Sequence, residues 1–237
     1  MSTSSSSKAE SSSLVRSTQA APKGIGDLVT FLVGPDKVAI QIHKKILCHH
    51  SPILDTAFNS TFFEGKTQTY ELESVTEDTF ALFTEWIYSQ KLERTSPSCD
   101  KTTMNTQERA DIAAESASLV ALWILADMLL IPRLQNQTID IIAKIGREVV
   151  TIQDIIDAYA NTAIDSPLRK LFVSQLAWVS PESSELVFST HGLLLPKQFV
   201  LDVVLACQKI MIHHATVSTS VSACISQDAA EYYVKED

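Results

Sequence analysis

The stretch IQIHKKILCHHSPILDTAF, residues 40–58, decides the fold because it joins a strand pattern directly to a helix pattern. Its start belongs to the run VAIQIH, residues 38–43, where apolar side chains alternate with smaller or polar ones as they do along a β-strand. Ser51 then precedes Pro52, a pair typical of a helix N-cap and first helical position. Apolar residues recur at helical spacing up to Phe58, so the stretch predicts a strand followed at once by short helices.

The residues before this stretch predict a partner strand. The run DLVTFLV, residues 27–33, is rich in β-branched and aromatic side chains. The next four residues, GPDK, residues 34–37, are typical of a turn. Two strand patterns on either side of a short turn predict a β-hairpin.

The residues after the stretch predict a third strand and further helices. TYELES, residues 69–74, has a strand pattern, and VTEDTFALFTEWIYSQKL, residues 75–92, predicts a helix that Thr76 caps. Residues 93–117 lose this apolar pattern and are predicted to form an inserted loop. Two more helices are predicted to follow, and they meet near Pro132.

Shifts in composition divide the chain into four parts. Residues 1–23 are rich in Ser and Thr, which predicts a disordered tail because so few apolar side chains cannot offset the entropy of ordering. Residues 24–146 contain the strand and helix patterns and form the predicted first domain. Residues 147–214 predict a helical C-terminal extension, and residues 215–237 a loosely ordered tail.

The overall composition excludes several classes of function. Hydrophobic residues make up 45% of the 237 residues and charged residues 20%, a normal balance for a chain with a buried core. The formal net charge of −9 disfavours binding to nucleic acid and to anionic membranes. The longest apolar run, residues 118–131, is too short to span a bilayer, and the N-terminus lacks the apolar core of a secretory signal. The four cysteines form no CxxC pair, so we expect an intracellular chain, cytoplasmic or nuclear, with reduced thiols.

Two clusters of cysteine and histidine are candidate metal ligands, but their spacing is unfavourable. Cys48, His49 and His50 are adjacent, so their side chains point to different faces of a helix. Cys207 and His214 are about two helical turns apart, roughly 10 Å, which is too wide for one tetrahedral site. The sequence contains no GxSxG, HExxH or GxxxxGK[ST] motif. We therefore expect no metal, no cofactor and no enzymatic activity.

The order of these segments resembles a BTB/POZ domain. DLVTFLV is similar to the first core strand of that family, and IQIHKKILCHHSPILDTAF is similar to its apolar-x-apolar-His-basic pattern, followed by Ser and a short helix ending in Phe. YELESVTEDTFALFTEWIYSQKL, residues 70–92, resembles its strand, turn and helix. The resemblance covers residues 27–92 and about 118–145, and residues 161–179 are similar to the tail of many uncharacterised fungal BTB proteins. It implies an α+β fold, with a small β-sheet packed with α-helices over residues 24–146 and an α-helical C-terminal region after it.

The resemblance also implies roles for individual residues. In the family, the histidine at the end of the hairpin and the basic residue after it belong to the fold, which implies that His43 caps a helix and fills space. Asp27 and Lys44 match the family's charged-pocket positions, where an acid and a base lie close together. Such a pair has either a structural role or a partner-binding role.

The function implied by the resemblance is protein–protein interaction. BTB domains that recruit a cullin scaffold often carry an apolar-x-Glu motif between the second helix and the third strand, and Phe62, Phe63 and Glu64 occupy that place. The chain would then be a substrate adaptor of a cullin-type ubiquitin ligase, with an exposed aromatic ring as anchor. In the alternative, a phenylalanine ring folds back onto the core, and the chain is a homo- or hetero-oligomerising regulatory scaffold with no ligase role. The implied partners are proteins in both cases, including a second copy of the chain in a homodimer.

Overall fold

The structure is a computed structural model that describes residues 26–94, 104–146, 151–178, 181–216 and 229–236. The predicted disordered tail, residues 1–23, lies outside these ranges. Within them the chain forms a small sheet, helices packed on that sheet, and a helical region after it.

The sheet has three strands with β1 (Leu28–Val33) in the centre, between β2 (Val38–His43) and β3 (Thr69–Leu72). β1 pairs antiparallel with β2, which confirms the predicted hairpin, and parallel with β3. The turn between β1 and β2 contains two residues with positive φ, Gly34 at 73° and Lys37 at 51°. Because β2 and β3 lie on opposite edges of the sheet, the chain between them must cross from one edge to the other.

Three short helices make this crossing. They are α1 (Lys44–His50), α2 (Pro52–Asn59) and α3 (Phe63–Thr67). Ser51 is the N-cap of α2, as predicted, because its Oγ accepts a hydrogen bond from the N–H of Leu54 at 3.1 Å. The same buried hydroxyl donates to the carbonyl oxygen of Leu129 at 2.7 Å. Ser51 therefore joins the start of α2 to a segment 78 residues further along the chain.

The helix predicted after β3 is α4 (Glu77–Ser89). Thr76 caps it as predicted, since its Oγ1 accepts a hydrogen bond from the N–H of Thr79 at 3.3 Å. The buried face of α4 carries Phe80, Phe83, Trp86 and Ile87. The aromatic spacing in the sequence was therefore a correct indication of the buried face.

The first domain ends with two long helices, α5 (Thr106–Met128) and α6 (Pro132–Gly146). Because α5 begins at Thr106, the prediction of a loop over residues 93–117 is wrong from residue 106 onward. Asn105 and Glu108 form a capping box there, in which each side chain accepts a hydrogen bond from the other residue's main-chain N–H at 2.9 Å. This cap starts the helix in a polar stretch, several residues before its apolar face becomes continuous.

The helical extension predicted after the first domain is present. It consists of α7 (Ile152–Asn161), α8 (Pro167–Ala177), α9 (Pro181–His191) and α10 (Lys197–Thr216). A short 3₁₀ helix follows at Ala229–Tyr232 and contacts α6 and α8. The prediction of a loosely ordered tail over residues 215–237 is therefore wrong for residues 229–236, and residues 217–228 lie outside the description. Among the helices described, none is both long enough and apolar enough to cross a membrane.

The hydrophobic core centres on aromatic rings contributed by the sheet and by the helices around it. Phe31 of β1 is fully buried. Its ring centroid lies 5.0 Å from that of Phe80, 5.8 Å from that of Tyr70 and 5.9 Å from that of Phe58. These contacts join β1 to α4, β3 and α2, and the α+β fold implied by the sequence is confirmed.

A buried polar contact joins the first domain to the helical extension. Ser116 of α5 donates a hydrogen bond from Oγ to Oδ2 of Asp154 in α7 at 2.8 Å. The Asp154 side chain is almost fully buried, and its Oδ1 has no hydrogen-bond partner among the described residues. Burial raises the pKa of this carboxyl above its usual value, against the opposing hydrogen bonds from Thr151 and Ser116.

Candidate functional site

The residues predicted to bind a partner lie at the start of α3. Phe62 is the N-cap residue of this helix, and Phe63 and Glu64 follow in its first turn. The side chains of Phe62 and Phe63 are 72% and 63% exposed, so neither ring folds back onto the core. Glu64 is half-buried. We call these three residues the Phe62–Glu64 surface, which presents two adjacent aromatic rings beside a carboxylate.

A close approach between α3 and the turn before it fixes the orientation of this surface. A Cβ atom at Gly65 would overlap the carbonyl oxygen of Ser60, so only glycine fits there. The Oγ of Ser60 donates to the carbonyl oxygen of Ala57 at 2.9 Å and accepts the N–H of Phe62 at 3.2 Å. The turn is therefore hydrogen-bonded to the end of α2 and packed against α3.

One carbonyl group near the end of α2 accepts two further hydrogen bonds that hold α3 in place. The carbonyl oxygen of Phe58 accepts hydrogen bonds from Nζ of Lys44 at 2.9 Å and from Nε2 of Gln68 at 3.0 Å. Nε2 of Gln68 also donates to the carbonyl oxygen of Gly65 at 2.6 Å. The side chain of Gln68 thus connects the end of α2 to α3, and Lys44 connects both to the start of α1.

A shallow cleft lies beside the Phe62–Glu64 surface. It is lined by Phe63, Glu64, Thr69, Tyr70 and Glu71. Burial raises the pKa of the Tyr70 phenol, and the nearby Glu64 carboxylate raises it further. The cleft therefore offers a partner an exposed ring, a hydroxyl donor and two carboxylate acceptors.

Asp27 and Lys44, predicted to form a charged pocket, are neighbours through their main chains. The N–H of Lys44 donates to the carbonyl oxygen of Asp27 at 2.9 Å. The ammonium group of Lys44 instead binds the carbonyl oxygen of Phe58, and no ion pair joins it to Asp27 within the part of the chain that the structure describes. The structure brings the two residues together without pairing their charges.

His43 is the N-cap residue of α1, the position implied by the resemblance, but its side chain makes no cap hydrogen bond to that helix. Its Nδ1 lies 2.8 Å from the hydroxyl oxygen of Tyr88, and its main-chain N–H donates to the same oxygen at 3.2 Å. His43 and Tyr88 therefore connect the end of β2 to α4.

Among the adjacent Cys48, His49 and His50, the two histidine rings lie close together, with centroids 4.8 Å apart. The ring of His50 packs against that of the buried Trp86, with centroids 5.4 Å apart, and burial lowers the pKa of this histidine. Across the described ranges, no group of three His, Cys, Asp or Glu side chains is close enough to hold a metal ion. The second cluster includes His214, whose side chain lies outside the description.

Sequence reasoning missed an apolar surface on the helical extension. A groove of about 440 Å³ lies between α8 and α10, and its apolar lining includes Ile164, Val173, Leu205 and Ile210. The neighbouring α10 residues Leu201 and Val204 are exposed, whereas Phe199 and Val203 of the same helix are buried in the core. We call this the α8–α10 groove. Apolar side chains on both sides of α10 were the available signal, because such a helix is normally covered on both sides.

Comparison with known proteins identifies the first domain. A family model for the BTB/POZ domain matches residues 27–145, about half of the chain. The match begins immediately before β1 and ends within α6, so it includes the sheet and the Phe62–Glu64 surface. No curated protein matches the chain.

Proposed function

The chain belongs to the BTB/POZ domain family, whose domains mediate protein partnerships, and from this premise we propose that it is a non-enzymatic adaptor that binds a cullin-type ubiquitin-ligase scaffold. The contact is made by Phe62, Phe63 and Glu64. The observation that carries the proposal is the exposure of both phenylalanine rings on a helix that is firmly attached to the domain.

The physical argument rests on how interfaces gain affinity. Large aromatic side chains that fill a pocket on a partner contribute most of the binding free energy at many interfaces. Exposed rings are costly in a monomer unless a partner covers them, and here two adjacent rings are exposed by more than 60% of their area. Glu64 beside them supplies an acceptor for hydrogen bonds or for a basic side chain, which adds direction to the apolar contact.

Rigidity of the surface favours the same function. Gly65 packs against Ser60, and Gln68 joins α3 to α2, so the two rings are held before a partner arrives. A pre-organised surface loses less conformational entropy on binding than a mobile loop would. In this proposal the helical extension, residues 151–216, supplies the surface that recruits the target protein.

The experiment is a binding titration of the full chain with a purified cullin N-terminal domain, using calorimetry. A Phe62→Asp, Glu64→Lys double variant removes the anchor and reverses the charge. An Ile164→Asp, Asp165→Lys variant makes the same kinds of change at an equally exposed site on the helical extension, where Ile164 is 75% exposed. All three proteins are first compared by circular dichroism.

We expect the native chain and the Ile164, Asp165 variant to bind alike, and the Phe62, Glu64 variant to bind at least about 30-fold more weakly. The proposal fails if the native chain shows no binding at tens of micromolar, or if the Phe62, Glu64 variant binds as well as the native chain.

A regulatory scaffold that self-associates, with no ligase role, is the second candidate function. The exposed apolar residues of the α8–α10 groove favour it, because a second copy of the chain could cover them. Sedimentation velocity of the native chain and of a Leu201→Glu, Leu205→Glu variant tests whether the chain self-associates through this groove. A dimer that the variant abolishes would support the scaffold, and a native monomer at tens of micromolar would exclude it.

A further inference from the structure

The end of the chain lies against the last helix of the BTB/POZ domain. Residues 229–232 form the 3₁₀ helix, which contacts both α6 and α8, and residues 233–236 continue without regular secondary structure. We call residues 229–236 the C-terminal segment. It therefore bridges the BTB/POZ domain and the helical extension.

The side-chain amide of Asn136 on α6 binds both main-chain groups of one residue in this segment, Val234. Its Oδ1 accepts the N–H of Val234 at 2.6 Å, and its Nδ2 donates to the carbonyl oxygen of Val234 at 2.8 Å. Nδ2 also donates to Oε1 of Glu236 at 2.8 Å. The amide of Asn136 thus pairs with Val234 as one peptide group pairs with another in a β-ladder. Only 5% of Asn136 is exposed in this arrangement.

One helical turn further along α6, Asp140 binds the same segment. Its Oδ1 accepts the hydroxyl hydrogen of Tyr233 at 2.7 Å. Residues four apart lie on the same face of a helix, so Asn136 and Asp140 form one polar row on α6. Ala229, Tyr232 and Val234 pack against the hydrophobic core, while Glu231 and Lys235 remain exposed.

These contacts have the character of peptide recognition. Main-chain hydrogen bonds fix an irregular segment, and the polar side-chain contacts of Tyr233 and Glu236 add specificity. A few apolar side chains of the segment pack against the hydrophobic core. The segment is joined covalently to α10 by a stretch of twelve residues, 217–228. It is far along the chain from Asn136 and Asp140, which bind it.

We propose that Asn136 and Asp140 of α6, together with α8, form a peptide-binding site, and that the C-terminal segment is a ligand which occupies this site intramolecularly and can leave it. The site recognises an irregular segment in which a tyrosine precedes a β-branched residue with a free main-chain N–H. This assignment is independent of cullin binding, which concerns other residues.

The test uses the full chain with a protease recognition sequence within residues 217–228, cleaved after purification. Gel filtration then shows whether the C-terminal segment separates from the body of the chain. A fluorescent peptide of residues 229–237 is titrated against the cleaved and the uncleaved protein, with anisotropy as the readout. Circular dichroism shows whether the cleaved body stays folded.

We expect the segment to separate and the peptide to bind the cleaved body at least about tenfold more tightly than the uncleaved chain. The reason is that a tether of this length holds the segment near its site at a millimolar effective concentration, so the tethered copy competes with the free peptide. The proposal is overturned if the cleaved segment never separates, if the body unfolds on losing it, or if the peptide does not bind.

Peptide variants test the recognition without altering the protein. Methylation of the main-chain nitrogen of Val234 removes the N–H that donates a hydrogen bond to Oδ1 of Asn136. We expect the methylated peptide to bind at least about tenfold more weakly. A Lys235→Ala peptide, changed at an exposed position, is the matched control and should bind like the native peptide. Equal binding of the methylated peptide would contradict recognition through the main chain.

Discussion

The ammonium nitrogen of Lys44 lies 2.9 Å from the carbonyl oxygen of Phe58, the buried aromatic residue near the end of α2. The main-chain N–H of Lys44 is bound to Asp27, just before β1. A basic residue after the hairpin therefore ties three parts of the domain together: the start of the sheet, the start of α1 and the end of α2.

Replacing Lys44 with methionine should destabilise the domain by about 1 kcal/mol. The variant keeps the apolar stem but loses the charged hydrogen bond to the Phe58 carbonyl group, which keeps its hydrogen bond from Gln68. Urea unfolding of the full chain measures the change. Lys45→Met is the matched control, because Lys45 is exposed, and we expect it to unfold like the native chain. Equal stability of both variants would mean that the Lys44 contact contributes nothing.

Replacing Gly65 with alanine should displace α3. The new Cβ would overlap the carbonyl oxygen of Ser60, and relief requires movement of main chain rather than of a flexible side chain. We expect a loss of about 1–3 kcal/mol in the free energy of unfolding, as for other overpacked sites, and weaker binding through the Phe62–Glu64 surface.

The matched control for this variant is Gly26→Ala, where the added Cβ meets no atom within 4 Å. Amide chemical shifts of residues 60–68 report the displacement directly. Unchanged shifts in Gly65→Ala would show that α3 is not held by this approach.

Replacing Leu130 with glycine should stabilise the chain. Leu130 has φ of 52°, the left-handed conformation, at the end of α5. The N–H of Leu130 binds the carbonyl oxygen of Asp127, and the N–H of Ile131 binds that of Ala126, a pattern that normally has glycine at the left-handed position. The strain on leucine, roughly 1–2 kcal/mol, exceeds the entropy cost of glycine, so we expect a net gain of about 0.5–1 kcal/mol.

The control for that prediction is Leu130→Ala, which removes the half-exposed side chain but keeps the strained conformation. We expect no gain in the melting temperature from alanine. If alanine stabilises as much as glycine, the effect comes from the side chain and not from the backbone.

Asp154 should make stability fall with rising pH above the ordinary aspartate pKa of about 4. Its pKa in the folded state is raised by burial, so between the two values the folded chain holds a proton that the unfolded chain has released. The unfolding free energy then decreases as pH rises, with a slope of at most about 1.4 kcal/mol per pH unit within that interval.

An Asp154→Asn variant should lose this decrease of the unfolding free energy with pH. The matched control is Asp165→Asn, at an exposed position, and it should keep the decrease. Urea unfolding at several values of pH between 3.5 and 7 compares the three proteins. A slope that is the same in the Asp154 variant and the native chain would assign the pH dependence to other groups.

Local patterns in the sequence predicted the sheet and α2 and α4 correctly, because each has its own signal. β-branched and aromatic residues indicated β1, and alternating apolar residues indicated β2. Ser51 and Thr76 marked helix starts with hydroxyl caps that the structure confirms. The first turns of α5 were missed since that stretch is polar on its exposed side. Asn105 and Glu108 carried the available signal, a capping box with asparagine in place of serine or threonine.

The position of the Phe62–Glu64 surface could be predicted, but its exposure could not. Whether an aromatic ring near a turn is buried depends on how the turn packs, and the close approach of Gly65 to Ser60 is a contact that no local pattern indicates. The hydrogen bonds of Asn136 to Val234 join residues 98 positions apart, and no local pattern indicates such a contact.

The hydrogen bond from Ser51 to Leu129 also bears on the order in which the chain can fold during synthesis. The hairpin and the short helices after it are made first, but the buried hydroxyl that anchors them has no acceptor until a residue 78 positions later leaves the ribosome. A nascent chain shorter than this holds an incomplete domain with its aromatic core uncovered. We therefore expect chains truncated before residue 129 to be cleaved rapidly by protease and to need chaperones, and chains that extend past α6 to become resistant.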